Sequence, residues 1–316
     1  MMRVLVTGAD GFVGRHLLQL LLKNGYSVAG TFYSHRPQLK GIEWLQCNIR
    51  ERNEVDTLIR QVQPDHVYHL AAISSPTGSF AAERLVYDTN FWGTLNLLEA
   101  IRNFAPQSRI LHVGSAQCYG KPNELPITES HELKPESPYA VSKAAADLLC
   151  YQYFCTHGLH IIRARPFNHT GPGQDASFVC SNFAKQVASI ELGRQEPTIS
   201  VGNLDIERDF SDVRDVVCAY ELLIDKGTAG EAYNIGAGTP ISIRDILSHL
   251  IGFCSEPVHV QVEESLLRGS ESKKIYADIK KVSVATGWRS HYDVQTTLND
   301  LFVTWLHQLD ETAVKQ

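Results

Sequence analysis

The chain has 316 residues, 43% of them apolar, enough to bury a large core and to suit one large domain or two interleaved lobes. With 29 Lys and Arg against 35 Asp and Glu, its formal charge of -6 argues against a nucleic-acid or anionic-membrane surface and for a small-molecule partner. Seven cysteines without a CxxC pair point to reduced thiols, a cytoplasmic setting and no metal site, and no apolar run has the length of a membrane span.

The first predicted strand, Arg3–Thr7, runs straight into Gly8, Gly11 and Gly14, and residues 12–22 continue at helical spacing. Glycines here permit a tight turn, close approach of a pyrophosphate to the backbone and close packing of helix on strand, while the helix N-terminus faces the phosphate charge. A second strand is predicted at Ser27–Phe32, a helix at 55–63, and further strands at 66–71, 109–113 and 160–165. This alternation predicts an α/β fold, a Rossmann-type doubly wound parallel sheet, with residues 1–165 as the dinucleotide-binding domain. Beyond Arg165 the elements shorten among Gly and Pro turns, predicting a smaller lobe from 166–208 and 241–316, with a segment near 209–240 returning to the sheet through a strand at 233–235. There is no internal repeat, and the polar end after Asp310 reads as a frayed helix terminus.

Near the end of the second strand, where an Asp or Glu would bond the adenosine ribose, the chain reads Thr31, Phe32, Tyr33, Ser34, His35, Arg36. With no acid to repel a 2′-phosphate and Arg36 to pair with it, NADP(H) is favoured and NAD(H) stays open. Tyr139 and Lys143 lie one turn apart on a helix starting near Ser137 and Pro138. A phenol needs about 4 kcal/mol of help to titrate at neutral pH. An ammonium at about 4 Å supplies that order of energy, so Lys143 is expected to tune Tyr139. Ser115 would sit at the C-terminal end of the strand at 109–113, where such sheets place their ligands.

With TGADGFVG at 7–14, Ser115 and YAVSK at 139–143, the chain resembles the extended short-chain dehydrogenase/reductase family (NAD-dependent epimerase/dehydratase) over essentially its whole length. HLAA at 69–72, NFWGT at 90–94, RPFNHTGPGQ at 165–174 and VGNLDIERDFSDVRDV at 201–216 resemble the branch acting on GDP-mannose derivatives. The resemblance implies catalysis by Ser115, Tyr139 and Lys143, with Tyr139 protonating a C4 oxygen that Ser115 also holds. It implies cofactor contacts from Gly8, Gly11, Phe12, Val13, Gly14, Arg36, Asn48, Ile49, Leu70, Ala71, Ala72, Tyr139, Lys143 and Pro166, with Lys143 holding the nicotinamide ribose and Asn48 standing where the family commonly has Asp and keeping a carbonyl acceptor. The implied substrate contacts are Ser74, Ser115, Gln117, Asn168, Lys185, Arg208, Arg268 and Glu271, the cations facing a diphosphate. Gly269 replaces the Pro usual in that late motif.

The implied substrate is a GDP-linked 4-keto-6-deoxy sugar, reduced at C4. Dehydration of GDP-mannose, the first alternative, calls for an additional acid/base, and similar dehydratases carry Glu where Gln117 stands. Nucleotide-sugar 4-epimerisation uses the same Ser, Tyr and Lys. A non-catalytic dinucleotide-sensing protein would ordinarily have lost Tyr139 or Lys143, and both are present. Apolar side chains at Phe91, Leu95, Leu98, Leu148, Tyr151 and Phe154 exceed what one sheet-facing stripe needs, so a homodimer is expected.

Overall fold

A computed structural model describes residues 2–74, 78–266 and 272–314. Strands β1 (Arg3–Thr7), β2 (Ser27–Phe32), β3 (Ile42–Gln46), β4 (His66–His69), β5 (Arg109–Val113) and β6 (His160–Pro166) pair in parallel. After β7 (Asn168–Thr170), β8 (Thr198–Val201) and β9 (Glu207–Asp212), strand β10 (Ala232–Ile235) returns beside β6. The sheet order is β10-β6-β5-β4-β1-β2-β3, so the chain reverses direction between β1 and β4 and opens a crevice at the carboxyl ends of those strands. Consecutive burial rather than alternation marks β1 and β4, because both faces of a parallel sheet are covered.

One face carries α1 (Phe12–Lys23), where Leu17, Leu18 and Leu21 meet Val216, Tyr220 and Leu223 of a later helix. The opposite face carries α2 (Arg52–Val62), α4 (Gly93–Phe104) and α5 (Pro138–His157), packed through Val55, Ile59, Leu97, Ile101 and Cys150; the short α3 (Glu83–Tyr87) precedes α4. The start of α5 follows its local chemistry, since Ser137 caps it by accepting Ala140 N at 3.1 Å and Pro138 fills the first turn. Leu98, expected on an exposed dimer face, is instead 1% exposed in this core, where the stripe of α4 turns it towards the sheet.

A separate core joins α6 (Val179–Glu191), α8 (Ile243–Ile251) and α10 (Val294–Val314) through Phe183, Val187, Ile246, Leu250, Leu298 and Leu301. There β9 pairs with β7, β11 (Pro240–Ser242) and β13 (Lys274–Ile275), and β12 (His259–Val262) pairs with β8. Helices α7 (Val213–Lys226) and α9 (Lys280–Thr286) lie on the side of α1. The RDFSDVRD run is the joint between the two cores. Asp212 caps α7 through Arg214 N at 2.7 Å and accepts Thr297 Oγ1 of α10 at 2.8 Å, while Asp215 Oδ2 takes Ser290 Oγ, His291 N and Tyr292 N, each at 2.9 Å.

Candidate active site

The glycine turn is shaped by contacts that side chains would destroy. Gly8 has φ +67°, and a Cβ there would lie 2.7 Å from Ala71 N; a Cβ on Gly14 would strike the Gly8 and Ala9 backbones. Gly11 begins α1 without a side-chain cap, leaving the first-turn amides of Phe12, Val13 and Gly14 without intrahelical acceptors beside an open backbone, an arrangement that fits a pyrophosphate. The same crowding explains why β4 ends at His69 and not at Ala71: the chain peels away over Gly8, with Ala71 N bonded to the Thr7 hydroxyl at 3.3 Å.

His69 ties this region together. Thr94 Oγ1 donates to Asn90 O at 2.6 Å and so must accept from His69 Nε2 at 2.9 Å, which leaves His69 Nδ1 to accept from Thr7 Oγ1 at 2.8 Å. Burial holds the ring neutral, far below the usual histidine range.

At the adenosine end, Thr31 is buried and its hydroxyl accepts Gly8 N at 3.1 Å, while Arg36 is exposed and makes no ion pair among the described residues. The Asn48 carbonyl, expected to face an adenine, already accepts Arg50 N at 3.3 Å and Arg50 Nε at 3.1 Å, and Arg50 Nη2 reaches the Tyr33 hydroxyl at 3.1 Å. Ile49 is buried, Leu70 and Ala72 line the half-buried loop after β4, and Pro166 closes β6.

Ser115, Tyr139 and Lys143 come together at the carboxyl end of β5. Ser115 caps a short turn by accepting Gln117 N at 3.2 Å, and its hydroxyl hydrogen-bonds the Tyr139 phenol. Lys143 Nζ donates to Val113 O at 2.7 Å. All three side chains are buried, and burial pushes Tyr139 up to about 12, opposed by the Ser115 hydrogen bond, while it pushes Lys143 down to about 8. Burial is the largest influence on the phenol, Lys143 is not among the groups that shift it, and Tyr139 holds its proton. Such a site holds a proton ready for an oxygen that gains negative charge.

A buried network that the sequence reading did not assign lies directly behind these groups. Asp147, on the same stripe of α5 as Tyr139 and Lys143, accepts Arg165 Nε at 3.0 Å, Arg165 Nη2 at 2.8 Å and Arg163 Nη1 at 2.6 Å. Arg165 Nη1 donates to Tyr119 OH at 2.9 Å, and Tyr119 donates to Asn234 Oδ1 of β10 at 2.8 Å. Asn90, buried before α4, donates to Ser142 Oγ at 2.9 Å and accepts Ile73 N at 2.8 Å, fixing α5 against the loop after β4.

The remaining candidates are more dispersed. Gln117 and Ser74 are exposed near the site, and Asn168 is exposed on β7. Arg208 Nη1 donates to the carbonyls of Glu207 and Ser272, each at 2.9 Å. Lys185 is exposed on α6, its ammonium 5.4 Å from the centre of the Trp305 ring. Arg268 and Glu271 lie outside the described residues. Among the described residues no group of His, Cys, Asp and Glu is placed to hold a metal, and no helix is long and apolar enough to cross a membrane.

The family model described as GDP-mannose 4,6 dehydratase matches residues 5–301. The chain is 33% identical to a GDP-6-deoxy-D-mannose reductase from Pseudomonas aeruginosa over 98% of this chain and 99% of that one. It superposes on the structure of RMD from Pseudomonas aeruginosa complexed with NADPH with a TM-score of 0.85 at 32% identity, covering 98% of this chain and 100% of that one. A UDP-glucose 4-epimerase from Thermus thermophilus complexed with NAD also gives a TM-score of 0.85, at 28% identity, covering 96% and 99% of the two chains.

Proposed function

The chain belongs to the GDP-mannose 4,6 dehydratase family of extended short-chain dehydrogenases/reductases, and on that premise we propose that it reduces GDP-4-keto-6-deoxy-D-mannose at C4 to GDP-6-deoxy-D-mannose. It is an NAD(P)-dependent enzyme of nucleotide-sugar chemistry, and its cofactor is a nicotinamide dinucleotide. The observation that carries the reading is the buried Tyr139 phenol, pushed up to about 12 and hydrogen-bonded by Ser115, beside a Gln117 that cannot ionise. Reduction needs one proton donor at the C4 oxygen. Elimination of water between C5 and C6 needs a further acid/base, which Gln117 does not supply.

When bound, the reduced nicotinamide supplies a hydride to C4. Tyr139 gives its proton to the C4 oxygen, Ser115 donates a hydrogen bond to that oxygen, and Lys143 brings positive charge towards the tyrosinate left behind. These donors act in a desolvated pocket, where their effect on developing charge is largest. The free amides of Phe12, Val13 and Gly14 would hold the pyrophosphate. NADPH preference is supported by the absence of an acid from 31–36 and by the exposed Arg36. The lobe of 166–208 and 241–316 would hold the GDP-sugar, with Asn168 meeting its polar groups and Arg208 its diphosphate, and Ser74 would meet the sugar from the dinucleotide-binding domain.

The test is NADPH oxidation with freshly generated GDP-4-keto-6-deoxy-D-mannose, the C4 configuration of the product being read by NMR. One NADPH consumed per sugar, with the D-rhamno product, is the expected result. No oxidation, together with conversion of GDP-mannose or a UDP-sugar without added dinucleotide, moves the assignment to a dehydratase or epimerase.

The reading includes a homodimer. Phe80, Leu85, Trp92, Leu148 and Tyr151 are 61%, 41%, 52%, 55% and 46% exposed on α3, α5 and the turns beside α3, an apolar face of the kind two copies bury isologously. Sedimentation should give twice the 35.2 kDa chain mass, and a Leu148→Glu, Tyr151→Glu variant should give that mass once. A single-chain mass for the unaltered protein at micromolar concentration overturns the dimer.

A further inference from the structure

We propose that the buried Arg165–Asp147 pair, with Tyr119, is a positioning device that sets the spacing between Tyr139 and Ser115. The inference rests on the reading of Tyr139, Lys143 and Ser115 as the reacting set. Those groups stand on two separate elements. Tyr139 and Lys143 project from α5, whereas Ser115 stands in the loop after β5, so their spacing depends on how helix and loop are held.

The pair grips both elements. On the helix side, Asp147 is one turn beyond Lys143 and two beyond Tyr139, and its fully buried carboxylate makes three hydrogen bonds to two guanidinium groups. On the loop side, Tyr119 OH accepts Arg165 Nη1 at 2.9 Å four residues after Ser115. The residue before Ser115 is also in contact: a Cβ on Gly114 would lie 3.0 Å from Ala164 O and 3.8 Å from both Arg165 Cγ and Asp147 Oδ1. Tyr119 is anchored in turn by Asn234, whose Nδ2 donates to Ile127 O at 2.9 Å, so the loop cannot follow the helix unless the network breaks. None of these groups reaches the surface to meet substrate, which distinguishes them from catalytic residues.

Only a planar, forked cation can bond Asp147 through one edge and Tyr119 through the other. Arg165→Lys keeps the charge and loses the fork. Tyr119→Phe keeps the ion pair and severs the loop arm alone. Asp147→Asn is not informative, because it would strand two guanidinium groups in the core.

The experiment measures kcat, KM, NADPH affinity and thermal midpoint for Tyr119→Phe and Arg165→Lys, alongside NMR of the protein carrying ζ-carbon-labelled tyrosine, the Tyr139 resonance being assigned with Tyr139→Phe. The expected result for Tyr119→Phe is a kcat lowered about 10- to 100-fold with KM and NADPH affinity within about threefold of wild type, and a displaced Tyr139 resonance. Arg165→Lys should show the same pattern with a lower midpoint. Wild-type kcat and an unmoved resonance in Tyr119→Phe overturn the proposal, even where Arg165→Lys is too unstable to assay. If the wild-type protein turns over no keto sugar, the functional reading fails, and the resonance alone then decides: displacement upholds the positioning role and its absence overturns it.

Discussion

Replacing Tyr139 by Phe is expected to leave NADPH affinity within a few-fold of wild type and to lower turnover by about 10²- to 10⁴-fold. The side chain is 8% exposed and its ring packing survives the change, so what is lost is the hydroxyl that bonds Ser115 and carries the transferable proton. Near-normal turnover in the variant would remove Tyr139 from the mechanism. The pH profile adds an independent check. Tyr139 stays protonated well above neutrality, so the first group to change as pH rises is Lys143, pushed down to about 8 from its ordinary 10.5 by burial. The rate should therefore fall above about pH 8 as the ammonium beside the site becomes neutral. The stability contribution of the same group runs the other way. Between about 8 and 10.5 the unfolded chain keeps a proton that the folded chain has released, so stability from this group rises with pH across that window. A rate held level to the ordinary lysine range would contradict the burial that the structure assigns to Lys143.

The parts of the site written in one stretch of chain were legible, because their physics is local. The glycine turn shows itself through a strand, three glycines and a helix, and the start of α5 through Ser137 and Pro138. The end of β4 was not legible: HLAA is apolar through Ala72, and only the packing of Ala71 over Gly8 stops the strand at His69. Asp147 reads as an ordinary polar helix residue until the fold brings up Arg163 and Arg165 from β6. Its one signal was its place on the stripe of Tyr139 and Lys143. Desolvation at Tyr139 was hidden for a related reason, since a spacing of four residues puts Lys143 on the same helix face but says nothing of how deeply the phenol is buried. The RDFSDVRD run was legible as a motif but not as a joint, because the groups its carboxylates hold lie far along the chain.

Asp209 gives that joint its most exposed point of failure, and Asp209→Ala is expected to cost about 3–5 kcal/mol of stability. The carboxylate is 0% exposed and no cation pairs with it among the described residues; it is held by Ala237 N at 2.6 Å, Gly238 N at 3.0 Å and Ala277 N at 3.0 Å. Burial raises its pKa while the three amides pull it down, burial being the larger effect. A raised carboxyl binds its proton more readily in the folded state, so this group's contribution to stability falls as pH rises through its folded pKa. Alanine leaves three amides buried without acceptors where β9, the loop after β10 and β13 meet. Asparagine should be little better, since its carbonyl can serve one side while its NH₂ faces further N–H donors. Urea unfolding checks both variants: midpoints lowered together at an unchanged slope are expected, and an Asp209→Asn protein as stable as wild type would show that the three amides do not need an anion.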